Sequence, residues 1–298
     1  MKRTIAAILL IVLLFLASAL CLGEFTSGAL VSPLLTPQSF LPSIARTVPT
    51  PTPRPPMRGV GCITQVDYSC ADVATSEAEW LHDWTMHPKE CGIPVVCQAW
   101  GLGSENETPD PRCEIVLLWN EPSIAPQAGI LPQVGADRWL FVEQQRDEWG
   151  MEISTPCDEA TWHSVWANEF YAANGRWPVF DWVCIHSYPA AFTAEQAAAS
   201  TVAAVEGARV WSLAHGGDGR VVLHEFSVWP AWGEGITEDY MRLVVPQLDE
   251  AGVMYAWFAL SGVGDYITGG SPYAEYYDTS LVDDMGELTP LGQAYRGL

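Results

Sequence analysis

Positive charge is the scarcest ingredient of this sequence. Its 298 residues hold 14 Lys and Arg against 36 Asp and Glu, a formal net charge of −22. A surface that acidic repels polyanions, which excludes nucleic acid as a partner and speaks against anionic membrane faces. Metal and redox spacings are missing as well. None of the eight cysteines forms a Cys-x-x-Cys pair or a zinc-knuckle pattern, so no metal and no cofactor is expected. There is no Gly-x-Ser-x-Gly elbow to carry a serine nucleophile, no phosphate-binding loop and no internal repeat. What is abundant is core material: 49% of residues are hydrophobic and 14 are Trp, which rules out disorder of the whole chain. An acidic, Trp-rich, Lys-poor chain suits a neutral partner such as a polysaccharide or oligosaccharide.

The ends of the chain differ in kind. Lys2 and Arg3 precede a continuous apolar run from Ile5 to Leu22, so residues 1–23 read as a signal peptide or an N-terminal membrane anchor. Residues 24–57 include Val48-Pro-Thr-Pro-Thr-Pro-Arg-Pro-Pro56 without a sustained apolar period. That composition makes an extended, semi-rigid spacer. The expectation is a monomer, secreted or tethered at the extracellular surface. Export permits disulfides, and seven cysteines lie beyond the export segment, so at least one stays unpaired in a monomer. Cys97 and Cys184 sit in apolar strand patterns and read as core residues.

From Arg58 to Leu298 the chain alternates short apolar runs with longer mixed ones. Strand candidates are Gly59–Ile63, Trp80–Trp84, Ile93–Ala99, Ile115–Trp119, Met151–Ser154, Asp181–His186, Arg220–Glu225 and Met254–Phe258. Between them, Thr193 to Gln196 has the form of a capping box opening an Ala-rich helix that ends near Gly216-Gly217. Tyr240, Val244 and Leu248 recur on one helical face, with Thr237 as the expected cap. Strand–helix alternation argues for a parallel sheet, and eight units argue for an α/β (β/α)8 TIM barrel. The first units are cramped, so the early helices should be short or irregular.

Four strand ends carry chemistry. Ile115–Trp119 runs into Asn120-Glu121-Pro122, where Pro stops the strand and leaves a carboxylate at its lip. The seventh strand ends in His224-Glu225-Phe226. The sixth ends in His186-Ser-Tyr188, whose first and third residues share one face of an extended chain. The eighth ends in Trp257-Phe258. Glu121 and Glu225 are three to four barrel units apart and should face one another across the mouth. Glycoside hydrolysis needs that pair, one carboxylic acid to protonate the departing oxygen and one carboxylate as nucleophile or base. Trp84, Trp100 and Trp229 are further rings on which a sugar could stack.

Together these motifs resemble a clan A glycoside hydrolase, and within that clan the glycosyl hydrolase catalytic core group typified by glycoside hydrolase family 128. That group pairs Asn-Glu-Pro, His-x-Tyr, Glu-Phe and Trp-Phe at strands four, six, seven and eight. It closes with a tail seen here from Leu281 through Gly286, Leu288-Thr289-Pro290-Leu291-Gly292 and Tyr295. The resemblance covers about Arg58 to the C-terminus. It implies a retaining glycoside hydrolase, first an endo-β-1,3-glucanase, with Glu121 as acid/base and Glu225 as nucleophile. It further implies that Asn120 binds the sugar hydroxyl beside the anomeric carbon. Tyr188 would touch the nucleophile, His186 would help order the site, and Trp257 would be the stacking platform. One departure stands out: the residue before the nucleophile is commonly Thr or Ser in that group and is His224 here. The alternative reading is a non-catalytic carbohydrate-binding barrel or adhesin that keeps the cleft.

Overall fold

Alternation of inward and outward side chains sets the architecture. The computed structural model describes residues 58–64, 68–159, 165–191, 193–233, 235–268 and 278–298. The apolar N-terminus, the Pro-rich spacer and Tyr273, Tyr276 and Tyr277 lie outside them. Eight strands form where the apolar runs predict them: β1 Arg58–Gly61, β2 Trp80–His82, β3 Cys97–Ala99, β4 Ile115–Asn120, β5 Glu152–Glu159, β6 Val183–Ser187, β7 Val221–Phe226 and β8 Met254–Trp257. Only β5 runs well past its expected end. All pair in parallel, in the order β2-β1-β8-β7-β6-β5-β4-β3. Two backbone bonds bring the outer strands together, Leu81 N to Pro94 O at 3.1 Å and Val96 N to Leu81 O at 3.0 Å. The result is the TIM barrel that eight alternating units imply.

Inward residues of the strands make an apolar plug of Trp80, Val96, Ile115, Leu117, Trp182, Val222, Met254 and Ala256. Trp80 fits because Gly59 faces it: a Cβ there would lie 2.2 Å from the indole. Outward residues such as Val116, Leu118, Leu223, Tyr255 and Trp257 pack beneath the helices.

The helical shell is uneven. From β4 onward the crossovers carry α2 Pro132–Trp149, α3 Val165–Asn174, α4 Ala194–Ala214 and α5 Ile236–Ala251. Before β4, among the described residues, there are only α1 Cys70–Ser76 and a 3-10 turn at Ser104–Asn106. Disulfides stand where helices are short: Cys70–Cys91 and Cys97–Cys113 close separations of 21 and 16 residues. Loop closure on that scale contributes about 3 kcal/mol per bridge. Cys157–Cys184 joins β5 to β6 inside the barrel, so Cys97 and Cys184 are core residues that are also bridged. Cys62 stays free and buried.

Thr193 caps α4 as expected, its hydroxyl accepting from Gln196 N at 3.3 Å. Thr237 does not cap α5. Gly235 takes that place with φ 76°, and Thr237 sits inside the helix, donating to Val228 O at 2.9 Å.

The C-terminal tail is a clasp. After α6 Val263–Thr268, Thr289 caps α7 Pro290–Arg296, and Tyr295 donates its hydroxyl to Gly59 O at 2.8 Å. Gly292 lets the helix touch the preceding strand-like segment, since a Cβ there would lie 1.9 Å from Leu281 O. Backbone cannot yield as a side chain does. Gly292→Ala is therefore expected to destabilise by at least about 2 kcal/mol, measured by thermal unfolding. An unchanged Tm would show that the clasp closes without this contact.

Candidate active site

All six residues of β4 are buried, but its end departs from regular pleating. The register shifts between Leu118 and Asn120, and Trp119 and Glu121 take left-handed φ values of 34° and 43°. Such values are uncommon for residues with side chains and concentrate at functional sites. The irregularity turns Trp119 outward onto Trp139 and Phe170, at 5.6 and 6.4 Å between ring centroids. Asn120 and Glu121 are thereby left at the mouth. Glu121 is anchored through its backbone, N to Cys157 O at 2.7 Å. Trp84, just past β2, is likewise left-handed at φ 59°.

Glu225 ends β7 opposite. One of its oxygens accepts from Trp84 Nε1 and the other from the Tyr188 hydroxyl, both at 2.7 Å. Burial pushes its pKa up and nearby Glu121 adds to this, while His186 and the two hydrogen bonds oppose; the net direction is upward. A single ring spans the gap between the carboxylates. His186 Nδ1 is 3.0 Å from Glu121 Oε1, and its Nε2 is 3.5 Å from Glu225 Oε1. Burial alone would lower the His186 pKa, yet Glu225 and Glu121 outweigh it and the net shift is upward.

Two more histidines continue the line. His186 Nε2 lies 2.8 Å from His224 Nδ1, and His224 Nε2 lies 2.9 Å from His82 Nδ1. All three rings are fully buried. Burial drives His82 down to about 3 and His224 well below the usual histidine range, helped by the neighbouring rings. Both are neutral at any pH near 7.

Above this floor opens a cleft of about 480 Å³. Trp84, Trp100, Tyr188, Trp229, Phe258 and Tyr266 line it with rings; Asp83, Thr85, Asn120 and Gln127 supply polar groups between them. Trp229 lies parallel to Tyr188 with centroids 5.4 Å apart. No Lys or Arg lines the cleft among the described residues.

Of the residues singled out in the sequence, the structure brings Glu121, Glu225, Asn120, Tyr188, Trp84, Trp100 and Trp229 together. Two do not reach the cleft. Trp257 is fully buried on the helix side of β8, packed on Phe226 at 5.1 Å and donating to Thr279 O at 2.9 Å. Successive strand residues point to opposite faces, so the ring at this lip is Phe258, one position on. Trp257 is a core residue, not a platform. His186 is fully buried beneath the carboxylates, with Nδ1 against Glu121, and does not line the cleft. Sequence reasoning missed Asp83 and Phe258 in the cleft lining and the buried contact of His82 with His224. The run Glu79-Trp-Leu-His82-Asp83-Trp84 was the signal for two of these, an unusually polar and aromatic lip on a weak strand.

The family profile described as "Glycosyl hydrolase catalytic core" matches residues 59–295. A search of curated proteins finds no match. Several solved structures share the fold. A variant of a glycoside hydrolase family 128 (subgroup I) endo-β-1,3-glucanase from Amycolatopsis mediterranei, complexed with laminarihexaose, aligns at TM-score 0.60 and 21% identity, over 81% of this chain and 98% of that one. The subgroup II endo-β-1,3-glucanase from Pseudomonas viridiflava aligns at 0.63 and 22%, over 81% and 97%. A subgroup III curdlan-specific exo-β-1,3-glucanase from Blastomyces gilchristii, complexed with glucose, aligns at 0.60 and 21%, over 81% and 98%. Identities this low carry the fold, whereas the profile spans nearly the whole described domain. The chain belongs to the glycosyl hydrolase catalytic core family.

Proposed function

We propose that the protein is a retaining endo-β-1,3-glucanase with Glu225 as nucleophile and Glu121 as general acid/base. The observation that carries this reading is the unequal treatment of two carboxylates on one cleft floor. Glu225 is held by two strong donors that favour the ionised form, Trp84 and Tyr188. Among the described residues, Glu121 has one side-chain hydrogen-bond partner, the ring of His186. Such a difference in environment is what divides acid from nucleophile. In the first step a Glu225 oxygen attacks the anomeric carbon, the glycosidic C–O bond breaks, and Glu121 gives its proton to the departing oxygen. In the second, Glu121 takes a proton from water as that water displaces Glu225.

The substrate class rests on two supports. A cleft lined by rings and acidic or neutral groups, without Lys or Arg, suits an uncharged sugar chain. The structural neighbours named above act on β-1,3-glucans, two of the three in endo mode. Export fits as well: the N-terminal apolar segment and three disulfides both belong to an oxidising, extracellular setting.

Laminarin hydrolysis followed by proton NMR of the nascent product anomer tests activity and retention together. Initial release of the α-anomer would refute retention, and no release from laminarin would refute the substrate. Glu225→Gln is expected to abolish turnover while oligosaccharide binding persists by calorimetry. Glu121→Ala should slow laminarin far more than aryl glycosides with good leaving groups, and equal losses on both would remove it as the acid. The pH profile gives a further check. Glu225 must be ionised to attack, and its pKa is raised, so the acid limb of kcat/KM should lie above the ordinary glutamate value of about 4.3. Tyr188→Phe deletes a donor to the carboxylate and should move that limb higher still. A limb that stays put or moves down would contradict the contact's role.

A further inference from the structure

The three buried histidines form a line that ends in the interior. Glu121, His186, His224 and His82 are joined by contacts of 3.0, 2.8 and 2.9 Å, and His82 Nε2 at the far end has no hydrogen-bond partner among the described residues. A neutral imidazole carries one N–H and one lone pair. With His82 and His224 neutral, both ring-to-ring bonds must point the same way.

Two directions are available. If each ring carries its proton on Nδ1, His82 donates to His224, His224 to His186, and His186 to Glu121, and the orphan at the end is a lone pair. If each carries it on Nε2, the orphan is an N–H facing the interior. A buried N–H without an acceptor is the rarer and costlier defect. The first direction wins. It occupies the His186 Nε2 lone pair with a proton donated by His224.

This matters because His186 stands between two carboxylates. Glu121 from β4, Glu225 from β7 and Asp158 from β5 all draw a second proton onto the ring. A doubly protonated His186 beside an ionised Glu121 would leave no acid for the departing sugar oxygen. The groups facing His224 are His82 of β2, His186 of β6, Glu225 of its own strand at 3.6 Å and the uncharged Cys157–Cys184 bridge. None offers His224 a better acceptor geometry than His186 Nε2.

We propose that His224, oriented by His82, is a positioning residue that keeps His186 singly protonated on Nδ1, so that the catalytic proton stays on Glu121. A Thr or Ser at this position is ambivalent between donating and accepting; an imidazole locked from behind is a donor only. The proposal rests on the acid role given to Glu121 above and adds the residues that keep it an acid.

The test is His224→Leu, which removes the donor and leaves His186 Nε2 facing Glu225. The ring then takes the second proton from Glu121. That inactive form holds as many protons as the active one, which sets the signature. The kcat/KM for laminarin should fall about tenfold, part of what a general acid supplies, and its alkaline limb should move to higher pH. Aryl glycosides with good leaving groups need no acid and should keep their rate. His224→Asn, whose amide N–H falls near the former Nδ1–H, should recover laminarin hydrolysis. Nitrogen-15 NMR of the unsubstituted enzyme reads the same point without turnover, with His186 neutral and protonated on Nδ1 at the pH of the activity plateau. Parallel losses on both substrates with unmoved limbs would overturn the proposal, as would an imidazolium His186 in the unsubstituted enzyme. The NMR reading holds or fails independently of Glu121→Ala, so loss of the acid assignment and loss of the histidine assignment are separable.

Discussion

Everything at the mouth of this barrel depends on one imidazole lodged between two carboxylates. Placing Glu121 and Glu225 together in a buried floor would, without a mediator, drive a proton onto whichever held it more tightly. His186 bonds Glu121 with one nitrogen and approaches Glu225 with the other. The remaining contacts then sort the pair. Trp84 and Tyr188 favour charge on Glu225, and the histidine line behind His186 limits where the shared proton can rest. The site is a problem in proton placement, solved with neutral groups rather than with cations, in keeping with a chain so poor in Lys and Arg.

That polar floor needs a rigid support, because a chain of buried hydrogen bonds is valuable only when every member stays in reach. The support is layered. An apolar plug fills the lower barrel, the Cys157–Cys184 bridge is part of it, and His224 lies against that bridge. Around the wall, large helices back β4 through β8, whereas the first three strands rely on short segments and two further bridges. The covalent links sit where packing has least to offer.

Much of this was legible in the residues. Apolar runs at barrel spacing announced eight strands, and Pro122 after Asn120-Glu121 marked a strand lip with a carboxylate. Glu225 at the end of an apolar run announced the second one, and the shared cleft follows from parallel strands delivering their ends to one face. Errors came where a single residue decides orientation. Trp257 and Phe258 are both large rings, and only the phase of β8 tells which one turns to the mouth. Thr237 has the chemistry of a cap, but Gly235 has the backbone freedom to make the turn. The histidine line was out of reach for another reason. Each ring comes from a different strand, and their contacts depend on the heights of β2, β6 and β7, which register shifts near Ile185 and Leu223 adjust locally.

The barrel's closure is uneven in a way that bears on this floor. Between β5 and β6 the wall is joined covalently, while β2 meets the segment leading into β3 through one isolated bridge made of two backbone bonds. β2 leads into Trp84 and ends with His82. The thinnest seam of the cylinder thus carries the donor to Glu225 and the last ring behind His224, whereas Glu121 hangs from the bridged side through Cys157 O. Thermal breathing would start at that seam. It would loosen the hold on Glu225 while Glu121 stayed in place.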